Sequence, residues 1–137
     1  MSIEWFNWYC EQIDKDKNWA TYRDRYLCPC CYMPTLVERG GFEICEICFW
    51  EDDGQDSDDA DIVRGGPNHD YSLTEARGNF QKYLTMYRPS DKRAFGMEQE
   101  KKPQKGKLYN AFQEAIKNNS EKLWNIALEL EKSYESS

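Results

Sequence analysis

Two Cys-x-x-Cys pairs in one short stretch constrain this chain more than any other feature of its sequence. Cys28 and Cys31 form the first pair, Cys45 and Cys48 form the second, and thirteen residues lie between the pairs. A turn of this form directs two sulfur atoms at one point, so two such turns supply the four soft donors that zinc takes in structural sites. The spacing therefore predicts a structural Zn²⁺ ion bound by these four cysteines.

Other uses of paired cysteines fit the sequence less well. A disulfide framework needs an oxidising compartment, but the N-terminal residues carry Glu4 where a secretion signal carries positive charge. No apolar stretch has the length of a membrane span, so we expect a cytoplasmic protein with reduced thiols. A thioredoxin-like motif needs a βαβ context, which the sequence lacks, and a catalytic zinc site normally adds histidine or carboxylate ligands and an open position.

The remaining cysteines and the single histidine give weaker signals. Cys30 is too close to Cys28 for the standard turn, so we predict either a buried packing thiol or an N–H donor to a ligand sulfur. A reactive thiol beside the metal is the alternative. Cys10 lies on a predicted helical face and is read as a small buried hydrophobe. His69 could act as a base, but a lone histidine without a nearby nucleophile is more typical of a loop. We therefore predict that the protein is not an enzyme.

A strongly acidic stretch follows the second cysteine pair. The formal net charge of the chain is -7 and its sequence pI is about 4.8. This balance argues against nucleic acid, whose binding depends on neutralising phosphates, and favours a cationic protein partner. The stretch lacks the closing glutamate of an EF-hand loop. We predict a partner-binding acidic loop made of Glu51, Asp52, Asp53, Asp56, Asp58, Asp59 and Asp61.

Hydrophobic periodicity and turn signals predict a small α+β protein. We expect a zinc-ribbon-like β-hairpin core, with Gly40 and Gly41 in its turn, packed with flanking helices. Ser72 and Glu75 form a capping box for one helix, which Pro89 should end. The predicted regions are an N-terminal helix over 1–25, a cysteine-rich zinc-binding domain over 26–88, a basic linker over 89–107 and a C-terminal helical hairpin over 108–137.

Three segments in order resemble the bacterial cysteine-rich CPCC family. They are "CPCC", "GGFEICEICFWEDDGQDSDDAD" and "RGGPNHDYSLTEARGNF", and the resemblance runs from Tyr26 to Phe80. It implies a compact, zinc-binding, cysteine-rich domain and brings no established activity. This chain differs from the family pattern at Tyr32, because the family usually has glycine directly after the last cysteine of "CPCC".

These observations together predict a non-catalytic, zinc-binding protein-interaction module. A small acidic protein of this kind suits an immunity or antitoxin role, in which it neutralises a basic toxin enzyme such as a nuclease. The alternative is a zinc-ribbon protein that binds nucleic acid or regulates a process. A zinc or thiol enzyme that uses Cys30 and His69 is the third hypothesis.

Overall fold

The computed structural model of the protein describes residues 19–136 and divides into two compact units. The first unit ends at Arg88 and the second begins at Pro89. The N-terminal helix predicted over 1–25 falls mainly outside the described residues, and Thr21–Tyr22, near the end of that range, is a β-strand. In the described part of the chain, no helix combines the length and the apolar character that crossing a membrane requires.

A small antiparallel sheet carries the first cysteine pair. Strands β1 (Thr21–Tyr22), β2 (Arg25–Leu27) and β3 (Pro34–Leu36) lie side by side in chain order. Strand β2 ends directly before Cys28, so the first cysteine turn is the connection between β2 and β3. Strands of two or three residues bury little surface, so this sheet aims the turn and cannot by itself stabilise the unit.

The second cysteine pair lies in a similar turn without a formal strand on either side. Ile44 and Glu51 form an isolated antiparallel bridge, where the sequence predicted a short strand. Backbone hydrogen bonds from Phe42 N to Asp52 O and from Asp52 N to Glu43 O, both 2.9 Å, extend this narrow ladder. The ladder holds the second turn at the tip of a hairpin-like segment.

Helix α1 (Leu73–Tyr83) covers part of the core of the first unit. Ser72 is the N-cap, as predicted, because its hydroxyl oxygen accepts a hydrogen bond from Glu75 N at 3.0 Å. The Glu75 carboxylate, the other half of the predicted capping box, accepts from Arg88. Leu73, Ala76 and Phe80 are buried, as the periodicity of this segment predicts.

Helix α1 ends earlier than the sequence predicts. Leu84, and not Pro89, terminates it in a left-handed conformation with φ of 60°, and its N–H donates to Phe80 O. The chain then turns back toward the cysteines, where Met86 N donates to Cys48 O at 2.9 Å. The buried Met86 side chain and this hydrogen bond supply a tertiary reason for the early end, which periodicity alone cannot reveal.

The second unit is helical. Its elements are α2 (Lys92–Glu100), α3 (Lys102–Asn118) and α4 (Glu121–Ser136). Helices α3 and α4 form the predicted C-terminal pair, in which the rings of Phe112 and Trp124 pack with centroids 5.7 Å apart. Asn119 ends α3 in a left-handed conformation, and the Ser120 hydroxyl accepts from Leu123 N at 3.1 Å to cap α4. The α+β fold class with a helical pair is therefore confirmed.

The segment predicted as a basic linker over 89–107 forms α2 and the first turns of α3. Pro103 lies in the first turn of α3, where a missing N–H costs nothing, so it starts a helix here instead of breaking one. Lys105 is buried in an ion pair with Glu98, and Lys101 also lies 3.8 Å from Glu98. Internal pairing therefore uses part of the positive charge of this segment.

Candidate metal centre

Four cysteine sulfurs converge in the first unit. Cys28 Sγ lies 3.5 Å from Cys48 Sγ, and Cys31 Sγ lies 3.6 Å from Cys45 Sγ. All four sulfur atoms lie within 4.8 Å of one another, and all four residues are buried. The structure thus brings together the four cysteines that the spacing selects, and this group can hold a metal ion.

The sulfur separations match a shared metal better than any covalent pairing. A disulfide bond joins its sulfurs at about 2.0 Å, whereas the cysteines here are free thiols at much larger separations. Four sulfurs at about 2.3 Å from one central ion form a tetrahedron with edges of about 3.8 Å. The 3.5 and 3.6 Å separations are close to those edges.

The two cysteine turns have the same backbone construction. In the first, Tyr32 N donates to Cys28 O at 2.8 Å, and in the second Phe49 N donates to Cys45 O at 2.9 Å. The residue after each second cysteine adopts a left-handed conformation, with φ of 63° at Tyr32 and 72° at Phe49. Each turn is then closed by a hydrogen bond from its first cysteine N to the carbonyl five residues on. Two copies of one local fold therefore present the four sulfurs.

Polar hydrogens surround the sulfurs. Cys30 N lies 3.4 Å from Cys28 Sγ, and Trp50 N lies 3.5 Å from Cys48 Sγ, and both donate to those sulfurs. The Thr35 hydroxyl lies 3.0 Å from Cys45 Sγ. Donors of this kind stabilise negative charge on sulfur, which a thiolate ligand carries. The sequence predicted the hydrogen bond from Cys30 N to a ligand sulfur. No sequence motif indicated the hydrogen bond of Thr35.

Burial makes negative charge on the cysteine sulfurs unfavourable. It raises the pKa of the Cys28, Cys31 and Cys48 thiols, because charged sulfurs lose contact with water. Burial also acts on Cys45, but hydrogen bonds from the other three thiols outweigh it and lower the pKa of that thiol. A bound divalent cation would supply the positive charge needed for four thiolates.

Cys30 and His69 lie outside this group of four. Cys30 is buried, burial raises the pKa of its thiol, and its N–H donates to Cys28 Sγ as described above. Cys30 is therefore both a buried packing thiol and an N–H donor to a ligand sulfur, the two roles that the sequence offered as alternatives. His69 is exposed at the end of a 3₁₀ turn, Gly66–Asn68, and its backbone N–H donates to Gly66 O at 3.2 Å. This places it in the loop ahead of α1.

The seven acidic residues predicted as a partner surface occupy different environments. Asp52 and Asp53 are fully buried. Glu51, Asp56 and Asp59 are half-buried, and Asp58 and Asp61 are exposed. Burial removes the first two from any surface. The role predicted for the other five stays a prediction.

A buried arginine accounts for part of this acidic run. Arg39 Nε donates to Asp52 Oδ2 and Arg39 Nη1 donates to Asp56 Oδ2, both at 3.0 Å, and Nη2 donates to Gln55 O at 2.9 Å. The guanidinium also lies over the Trp19 ring, 4.1 Å from its centroid. Sequence reasoning missed Arg39, although its position directly before the Gly40–Gly41 turn offered a faint signal. The loop is therefore folded around a cation of its own chain.

Comparison with known proteins gives a family. A family model described as cysteine-rich CPCC matches residues 26–101, which is more than half of the chain. The chain therefore belongs to the cysteine-rich CPCC family, as its motifs predicted. No curated protein and no solved structure matches it. The family description names the cysteines and states no activity.

The left-handed conformation of Tyr32 generates a first prediction. Glycine adopts this conformation freely, whereas a residue with a Cβ atom pays about 1 kcal/mol for it. We expect the Tyr32→Gly variant to exceed the Tyr32→Ala variant in free energy of unfolding by about 1 kcal/mol, measured by urea denaturation. Both variants lose the exposed ring and its stacking with Arg77, so their difference isolates the backbone term.

Val37 supplies the matched control for this comparison. It is exposed and is not among the residues with positive φ, so glycine should be less stable than alanine there. Equal stability of the glycine and alanine variants at position 32 would contradict the proposed strain.

The buried Asp53 generates a second prediction, which concerns pH. Burial raises the pKa of this carboxyl to about 7, against the lowering effect of the Gln55 N–H and with a further rise from Asp52. Because the folded pKa exceeds the unfolded one, the protonated carboxyl favours folding, and stability is lost as pH rises toward 7. We expect Asp53→Asn to remove this loss, which amounts to at most about 4 kcal/mol. Denaturation of both proteins between about pH 5 and pH 8 measures it.

Asp58→Asn is the control, because Asp58 lies in the same run but is exposed. This variant should follow the pH dependence of the wild-type protein. Parallel curves for the wild-type and Asp53→Asn proteins would show that Asp53 does not titrate in this range.

Proposed function

We propose that Cys28, Cys31, Cys45 and Cys48 hold one structural zinc ion. The observation that carries this proposal is the convergence of four buried sulfurs at separations near the edges of a zinc–thiolate tetrahedron. Four sulfur donors complete a tetrahedral shell and leave no position for substrate or water. This is the arrangement of structural zinc sites, whereas catalytic sites keep one position open. We therefore propose a non-catalytic role.

The zinc ion would replace the sheet as the main support of the first unit. The strands are only two or three residues long, so hydrogen bonding between them contributes little. One ion bound by both cysteine turns links β2, β3 and the Ile44–Glu51 hairpin. Zinc binding by tetrathiolate sites releases about 10–16 kcal/mol, which is comparable to the whole stability of a small domain.

A binding role for a cationic protein partner is the second part of the proposal. The chain carries a formal charge of -7, and Asp58 and Asp61 remain exposed next to the rigid zinc-supported hairpin. Fixed acidic groups on a rigid support attract a basic surface and steer its approach. The immunity hypothesis is one form of this role, in which the partner is a basic toxin enzyme. Nucleic-acid binding is the weaker hypothesis, because Lys105 of the basic segment is buried against Glu98.

A third prediction tests the zinc site. Inductively coupled plasma mass spectrometry of the purified protein should find one zinc per chain. Chelation should abolish the near-ultraviolet circular dichroism of the first unit's aromatic core. Cys28→Ser and Cys48→Ser should lose the metal because each removes a ligand. Cys30→Ser is the matched control, since it changes a neighbouring buried thiol that is not a ligand and should keep the metal.

Each result has a clear meaning for the site. Iron in place of zinc would contradict the choice of metal but support the four-sulfur site. A metal-free protein, or a Cys30→Ser variant that loses its metal, would contradict the site as proposed.

A fourth prediction tests the partner role. The wild-type chain, used as bait in lysate of the cells that encode it, should retain a cationic protein whose binding weakens with added salt. Asp58→Lys should raise the Kd about tenfold, because it reverses an exposed charge of the acidic run. Asp24→Lys is the control, because it makes the same charge change at an exposed site in the same unit but outside the run. Recovery of nucleic acid alone would contradict the role.

A further inference from the structure

Helix α4 has apolar side chains on two sides. On one side, Trp124 and Ala127 are buried, and Trp124 packs on Phe112 of α3. On another side, Leu123, Ile126 and Leu130 line an open groove of about 420 Å³ between α3 and α4. Ile126 is 45% exposed. Packing against a single neighbouring helix requires one apolar stripe. The second stripe therefore requires its own explanation.

Helix α3 forms the other wall of this groove with a different pattern. Lys107, Ala111 and Glu114 follow the i, i+4, i+7 spacing of one helical face, and Asn110 lies beside Ala111. Neither Lys107 nor Glu114 forms an ion pair with any residue that the structure describes, although Glu114 accepts a hydrogen bond from Asn118. The face therefore carries one positive and one negative group, seven residues apart, around a small central residue.

We propose that this groove binds a second copy of the same chain, with the two α3 helices antiparallel across a two-fold axis midway between Asn110 and Ala111. In this arrangement each Lys107 lies opposite the partner's Glu114, because both residues are three and a half positions along the helix from the axis. The charge pattern is thus complementary to itself, which a two-fold interface requires. Asn110 lies next to the axis, and its amide carries both a donor and an acceptor, so two copies can pair with each other.

The apolar side of the groove completes the interface. Ile126 projects from α4 at the groove, and burial of this side chain against the partner supplies the hydrophobic term. The product is a four-helix arrangement in which each copy contributes α3 and α4. Ala111 beside the axis allows close approach of the two α3 backbones, since its side chain is small.

The size of the face indicates a weak dimer. Helix α3 has 17 residues, which corresponds to a length of about 25 Å. Two helices side by side present a face about 20 Å wide, so each copy would bury about 500 Å², below the roughly 800 Å² of a standard interface. We therefore expect reversible association with a Kd of tens of micromolar.

A fifth prediction tests this interface in the full chain by sedimentation velocity between about 2 and about 200 μM. The wild-type protein should shift from monomer to dimer across this range. Ile126→Glu should weaken association at least tenfold, because it places a charge in the apolar side of the groove. Asn125→Glu is the matched control, since it adds the same charge at an exposed neighbouring position outside the groove lining, and it should keep the dimer.

A charge-exchange series tests the geometry without changing the apolar residues. Lys107→Glu and Glu114→Lys should each weaken the dimer, because each variant places like charges opposite one another. The double variant restores both opposite pairs and should recover the wild-type association. A wild-type chain that stays monomeric throughout, or a double variant that associates no better than the single ones, would overturn the proposal. Circular dichroism confirms that each variant keeps its helices.

Discussion

The convergence of four buried sulfurs is the constraint on which the first unit depends. Three very short strands and one isolated bridge cannot hold two hairpin-like turns in register against the entropy of the chain. The turns meet at Cys28, Cys31, Cys45 and Cys48, whose sulfurs lie within 4.8 Å of one another. Burial makes that meeting costly without a cation, because negative charge on sulfur is then poorly solvated. The architecture as well as the ligand types therefore supports the proposal of a central ion.

The acidic run after the second turn belongs partly to the same support. Asp52 receives Arg39 Nε and the Gly40 and Gly54 backbone N–H groups, so its carboxylate closes the loop on both sides of the hairpin. A carboxylate with three donors is a structural element, not a spare surface charge. The exposed acids are carried on a segment that these interactions hold in place. The number of acidic residues that can contact a partner is therefore smaller than the net charge suggests.

Local signals in the sequence were sufficient for the elements that depend on nearby residues. The cysteine spacing, the Ser72 N-cap and the C-terminal helical pair all rest on short-range rules and agree with the structure. Long-range contacts decide the rest. Leu84 ends α1 where the chain returns to Cys48, and the predicted linker is helical and buries the ion pair of Lys105 with Glu98. The burial of Asp52 depends on Arg39, thirteen positions earlier in the chain, which no local pattern connects to it.

Backbone strain links the metal centre to the rest of the unit. Tyr32, Phe49 and Leu84 all have positive φ. Residues with a Cβ atom adopt this conformation at a cost of about 1–2 kcal/mol each. Tyr32 and Phe49 each follow the second cysteine of a turn, and Leu84 lies two residues before Met86, whose N–H donates to Cys48 O. We therefore expect the proposed metal to offset part of this cost when it closes the sulfur cluster.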